Sequence, residues 1–213
     1  MFYKDNECSY QSKYCCFPPI NVNVTCESSG GNGDGDGCCC SKVSMREAIN
    51  FLISSPISQY LSNTPFNIFG IKQITTSGVE IILASNDLVA VGPTLDNIAS
   101  YISLCSIYNI VFTAASGAAA NNLETAIRNN PLYNGPVTIP DDPCCCKGEI
   151  INELVERRNA SANITLDMER VSSSNISGEV IGVAPDIAFL RDNTGQGTTF
   201  HLVSICRIAS FIP

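Results

Sequence analysis

Hydrophobic positions along this chain follow two different periods. Met45, Ala48, Ile49, Leu52 and Ile53 recur at the spacing of one helix face. Ser44, with Glu47 three residues on, reads as a capping box that starts this helix. Pro56 and the "SNTP" at 62–65 are expected to end the region or split it into two short helices. Ile150, Ile151, Leu154 and Val155 form a second helical stripe. The rest is dominated by short runs of Val, Ile, Phe and Thr separated by Asn, Asp, Gly and Ser, the pattern of strands and turns. After the first helix these runs are "NIFGIKQI", "VEIILAS", "LVAVG" and "SYISLCSIYNIVF"; after the second, "NITLDMERV", "ISGEVIGV", "IAFLRD" and "TTFHLVSICRIASFI".

The two sets share landmarks in the same order. Each begins with three consecutive cysteines, Cys38–Cys40 or Cys144–Cys146, followed by a helix, "AINFLI" or "IINELV". Gly78 and Gly178 then open strands, Asp87 and Asp186 lead short apolar runs, and Ser-x-Cys closes each set at Cys105 and Cys206. Five matched landmarks predict two tandem copies of a helix plus a small β-barrel or sandwich, at 38–114 and 144–213, a mainly β fold with short helices (α+β). A single domain with a fortuitous echo is the alternative. Residues 115–143, Pro- and Gly-rich with a helix expected near 121–129, read as a linker. Residues 1–37, with the glycine-rich "CESSGGNGDGDG" at their end, read as a flexible arm carrying Cys8, Cys15, Cys16 and Cys26.

Composition narrows the function. With 213 residues and 45% hydrophobic content the chain can bury a core. Its net charge of −8 and lack of clustered Lys and Arg argue against nucleic acid as a partner. No apolar run is long enough to span a membrane, so no membrane role is expected. The segment "MFYKDNECSYQSKYCC" has no apolar signal core, so the expectation is a protein made in the cytoplasm, or exported without a Sec-type leader. Twelve cysteines conflict with a reducing compartment unless they bind metal or oxidise later.

Candidate chemistries follow from those thiols. "NGDGDG" at 32–37 begins like a calcium loop, but its twelfth position is Val43 in place of the bidentate Glu, leaving a solvated hinge. A cysteine nucleophile needs a base, and the single histidine, His201, lies an odd number of residues from Cys206, on the opposite face of one strand. No enzymatic role, catalytic residue or cofactor is expected. Thiolates suit zinc or copper, so a cysteine-rich metal-binding module is the alternative function, although the chain has no CxxC knuckle. Disulfides fit the spacing better. Adjacent cysteines have Cα atoms about 3.8 Å apart, too close for the usual bridge, so each sulfur of a triplet needs a mate elsewhere. Cys105 and Cys206 are the expected intramolecular mates. Cys8, Cys15 and Cys16 are the expected intermolecular ones, paired with some of Cys38, Cys39, Cys40, Cys144, Cys145 and Cys146. An even count also permits six bridges inside one chain.

The arm "CSYQSKYCC" (8–16), the two "CCC" triplets and the missing leader resemble the cysteine-rich self-assembling proteins of bacterial spore surfaces: exosporium and coat proteins and endospore appendage subunits. The stretch "ISGEVIGVAPDIAFLRD…HLVSICRIASF" also resembles small Sm-like or SH3-like barrel modules found in spore-associated proteins. The resemblance implies a structural homopolymer, a disulfide-cross-linked lattice or fibre. The arm and strand edges would make its contacts, with other spore-surface proteins as further partners. It also implies synthesis in the mother-cell cytoplasm without a signal peptide, where thiols stay reduced until lysis exposes the spore surface.

Overall fold

A computed structural model of the protein describes residues 39–70, 75–84, 88–92, 98–138, 148–168, 175–192 and 197–212. Helix α1 (Cys39–Ile53) buries Met45, Ala48, Ile49 and Leu52, the stripe expected from their spacing. It starts five residues before the expected cap, so Ser44 and Glu47 lie inside the helix and make no capping box. Nothing between Cys39 and Val43 breaks a helix, and the nearest glycine ahead of it is Gly37. The helix ends before Pro56, where Ser54 Oγ donates to the carbonyl of Phe51 (2.7 Å) and satisfies one of its terminal acceptors.

A short 3-10 helix (Ile57–Tyr60) follows, and then strand β1 (Leu61–Gly70) where the proline pattern suggested a second short helix. Pro65 is tolerated within β1 because the register there is irregular, shifting between Leu61 and Phe66. Strands β2 (Thr75–Val79), β3 (Ile81–Ala84), β4 (Leu88–Val91) and β5 (Ser100–Ser103) lead into a first 3-10 turn between strands, Leu104–Ser106, and β6 (Ile107–Ala114). Helices α2 (Gly117–Asn129), α3 (Pro131–Asn134) and α4 (Gly148–Ala160) come next. Strands β7 (Asn163–Met168), β8 (Asn175–Ala184), β9 (Ile187–Arg191) and β10 (Thr199–Ser204) lead into a second 3-10 turn, Ile205–Arg207, and β11 (Ile208–Ile212). The protein is thus mostly antiparallel β with a few short helices, an α+β fold.

Two expected strands are each divided. "SYISLCSIYNIVF" becomes β5, a turn and β6, and "TTFHLVSICRIASFI" becomes β10, a turn and β11. The turn redirects the chain so that one side of it pairs with a strand the other side does not touch. β5 pairs with β4 while β6 pairs with β1; β10 pairs with β9 while β11 pairs with β7.

Among the described residues two sheets result, one ordered β11-β7-β8-β9-β10-β6-β1-β2 and the other β3-β4-β5. Registers in the two halves run in parallel. β1 and β6 pair Gly70 with Ile107, skip a residue, and continue as Phe69–Asn109 and Ile68–Ile110. β7 and β11 pair Met168 with Ile208, skip a residue, and continue as Asp167–Ser210 and Leu166–Phe211. β3 and β4 shift register between Ile81 and Leu83; β8 and β9 shift between Val180 and Gly182. The halves meet along β6 and β10, where Phe200 opposes Phe112 and Leu202 opposes Ile110.

β8, β9 and β10 are central and bury residues on both faces. Ile181, Ile187, Phe189, Phe200 and Leu202 join a core with α1, α2, Phe66, Ile110 and Phe112. Val180, Val183, Ala188, Leu190 and Val203 join a second core with Ile151, Leu154, Leu166 and Ile208. Residues 117–134, expected as linker, belong to the first core: Ala120, Leu123, Ile127 and Tyr133 are buried in it. Ser116 Oγ caps α2 by accepting from the Ala119 N–H (3.2 Å). Gly182 permits the close approach, since a Cβ there would lie 2.9 Å from Ile127 and 3.0 Å from Tyr133.

Candidate functional site

The cysteines define the first candidate region. Cys8, Cys15, Cys16, Cys26, Cys38 and Cys144–Cys146 lie outside the described residues. The backbone of Cys39 and Cys40 forms the first turn of α1. Cys105 and Cys206 occupy the middle of the two 3-10 turns, the corners where each half changes strand partners. Cys206 is a buried thiol, 4% exposed.

Asp186 shapes the corner around Cys206. It sits in the β8–β9 turn, fully buried, and its carbonyl accepts the Ile205 N–H (2.9 Å). Burial pushes its carboxyl up to about 7, with Ser44 of α1 close enough to offset part of that and Cys206 adding to it. Neither carboxylate oxygen makes a hydrogen bond of good geometry among the described residues. The corner that carries Cys206 is therefore lined by α1, the helix opened by the first cysteine triplet. His201, the single histidine of the chain, is on β10 and faces Asn109 of β6, whose Nδ2 lies 3.3 Å from His201 Nδ1. Burial lowers its pKa, which keeps the ring neutral at pH 7. The 3-10 turn, rather than strand alternation alone, separates it from Cys206.

Sequence reasoning missed a charged clasp between α2 and the sheet. Glu124 accepts from Arg128 Nε (2.7 Å) and from Arg191, while Arg128 also pairs with Glu179 of β8. Burial would raise the Glu124 carboxyl, but the hydrogen bonds and charges of Arg128 and Arg191 hold it below its ordinary value. Arg191 further donates to the Gly197 carbonyl (3.1 Å) and to Asn121 (3.1 Å). The buried Arg158 of α4 donates to the carbonyls of Tyr133 and Gly135 (3.0 and 3.1 Å), fastening the α3 turn. These groups tie the helices to the sheet.

The second candidate region is a pair of strand edges. Among the described residues β5 and β11 each end a sheet. Tyr101 on β5 is 62% exposed and Ile212 on β11 is 64% exposed, two of the few large apolar side chains left in solvent. Their edges were not visible in the sequence, since the divided strands were read as continuous.

No family model, curated protein or solved structure matches this chain. Among the described residues no cluster of three or more His, Cys, Asp or Glu is placed to hold a metal ion. No helix among them is long and apolar enough to cross a membrane.

Proposed function

We propose that this protein is a structural subunit, without enzymatic activity, that polymerises into a disulfide-cross-linked lattice or fibre on a spore surface. The observation that carries the reading is the position of the cysteine triplets. Cys39 and Cys40 open α1, and Cys144–Cys146 stand directly ahead of α4, which begins at Gly148. Sulfurs on neighbouring residues diverge, so a row of three cysteines calls for more than one partner. The arm, 1–37, supplies Cys8, Cys15 and Cys16 as partners from a neighbouring copy. Disulfides stabilise by about 2–4 kcal/mol each on the chain-entropy account and add kinetic persistence suited to a protective layer.

We also infer that 38–114 and 144–213 are tandem copies of one helix-plus-barrel unit. In support, each half runs helix, strands, 3-10 turn and last strand, with the turns at Leu104–Ser106 and Ile205–Arg207. Each also closes its first strand on its last with the same skipped residue. A homopolymer built of doubled units would bring two cysteine-bearing helix starts per chain to its contacts. Synthesis in the mother-cell cytoplasm and further contacts with other spore-surface proteins complete the proposal.

The test is a denaturing gel of protein whose unreacted thiols have been alkylated at lysis, boiled with and without reductant. A ladder that collapses only on reduction is expected. Monomer in both lanes contradicts the reading, and monomer with stoichiometric zinc or copper favours a metal-binding module instead.

A further inference from the structure

We propose that copies of this chain join head to tail, β5 of one pairing antiparallel with β11 of the next, repeating between molecules the seam that β10 and β6 make within one. The proposal rests on the self-assembly reading above and names the surface that performs it.

The internal seam supplies the template. β10 is the strand before the second 3-10 turn and β6 the strand after the first, and they pair as His201–Val111, Leu202–Ile110 and Val203–Asn109. β5 is the strand before the first turn and β11 the strand after the second. Among the described residues, therefore, one strand of each kind pairs at the internal seam and the other of each kind ends a sheet. Ser100 precedes Ser103 by the same interval as His201 precedes Ser204, and Ile212 follows Ile208 as Val111 follows Ile107. Carried over, the register becomes Ser100–Ile212, Tyr101–Phe211 and Ile102–Ser210.

The side chains fit that pairing. Leu202 and Ile110 are fully buried in the seam, and the residues that stand in their places are Tyr101 and Phe211. Tyr101 is mostly exposed, Phe211 is half-buried and Ile212 is exposed, so pairing would cover apolar surface now in water. Neither Ser100–Ser103 nor Ser210–Ile212 carries a Lys, Glu or Asp, the charges that guard edges against such pairing. The contact is heterologous, so repetition closes a ring or extends a helical fibre.

Three proteins test it, all held in reductant so that no disulfide contributes: the wild type, Tyr101→Lys and Ile212→Lys. Both substitutions fall at exposed positions, and near-ultraviolet circular dichroism checks the fold. Ser100→Lys and Ser210→Lys, also at exposed positions, form a second pair if either loses it. Sedimentation velocity is expected to show oligomers for the wild type and monomer for each variant alone. An equimolar mixture of the two should give a dimer that grows no further, because one intact edge of each kind remains. Wild-type-like oligomers in both single variants would overturn the pairing while leaving self-assembly intact. A wild type that is monomeric in reductant and polymeric only once oxidised would also overturn it, with the edges covered by the chain's own residues 1–38 or simply unused. A wild type monomeric under both conditions would remove the assembly reading itself.

Discussion

Residues 61–114 and 163–212 place similar landmarks in a similar order but meet different neighbours. In the second half β10 lies between β9 and β6, and Phe200 and Leu202 are fully buried. In the first half β5 has, among the described residues, β4 on one side only, and Tyr101 is mostly exposed. The same contrast separates Ile110, buried at the seam, from Phe211, half-buried at the end of the sheet. Burial here is set less by the strand's own residues than by whether a second strand lies alongside. An edge strand in one half is a core strand in the other, which is the physical ground for expecting a further copy to complete it.

The seam itself is the first place to break this contrast. The Phe112 ring stacks on Phe200 with centroids 5.4 Å apart and meets Phe189 edge-on, so three strands of both halves share it. Phe112→Ala is expected to destabilise by about 3–5 kcal/mol and to separate denaturant unfolding into two transitions, one per half. A single cooperative transition with little loss would mean the seam does not hold the halves together.

Asp186 sharpens the comparison from the second half. Its carboxyl is raised from 3.8 to about 7, so the unfolded chain releases that proton first. Each pH unit between those values then costs the native state about 1.4 kcal/mol, reaching on the order of 4 kcal/mol above pH 7. Asp186→Asn should therefore stabilise the protein at pH 8 and have little effect at pH 4, read from thermal unfolding across pH. Equal effects at both would show that the carboxyl ionises freely in the fold.

The helices that cover the central strands come next. Arg158→Ala leaves the Tyr133 and Gly135 carbonyls without their charged donor and is expected to cost about 2–3 kcal/mol in urea unfolding. Glu124→Gln loosens α2 and is expected to cost about 1–2 kcal/mol. Because the Glu124 carboxyl is held below its ordinary value, that contribution is present above pH 4.5 and lost as pH falls through the folded value. The wild type and Glu124→Gln should converge in stability at low pH. The smallest effect is expected from Tyr101→Lys, which should change monomer stability by no more than about 0.5 kcal/mol while removing assembly.

Much of the framework was legible in the primary structure, and the missing parts share a cause. The stripe of Met45, Ala48, Ile49 and Leu52 and the alternating strands are local patterns, and both stand. The break at Leu104–Ser106 was invisible because "SYISLCSIYNIVF" contains no Gly or Pro and favours strand throughout. Only the competing partners β4 and β1 bend it. Residues 117–134 read as part of a linker because a Pro- and Gly-rich stretch follows the helix expected near 121–129. Yet Ala120, Leu123 and Ile127 are enough to dock one face once the sheet offers a surface. The charge clasp, the burial of Asp186 and the open edges likewise depend on residues far apart in the chain. The cysteine rows, by contrast, were plain from their adjacency alone.

The most direct measurement of the central claim uses two preparations, one grown on heavy nitrogen and one on light. They are mixed as reduced monomers, allowed to oxidise, digested without reductant and read by mass spectrometry. The account predicts disulfide-linked peptides of mixed label joining Cys8, Cys15 or Cys16 to Cys38–Cys40 or Cys144–Cys146, with Cys105 and Cys206 in single-label peptides. Only single-label bridges, or thiols that stay unbridged after assembly, would contradict it.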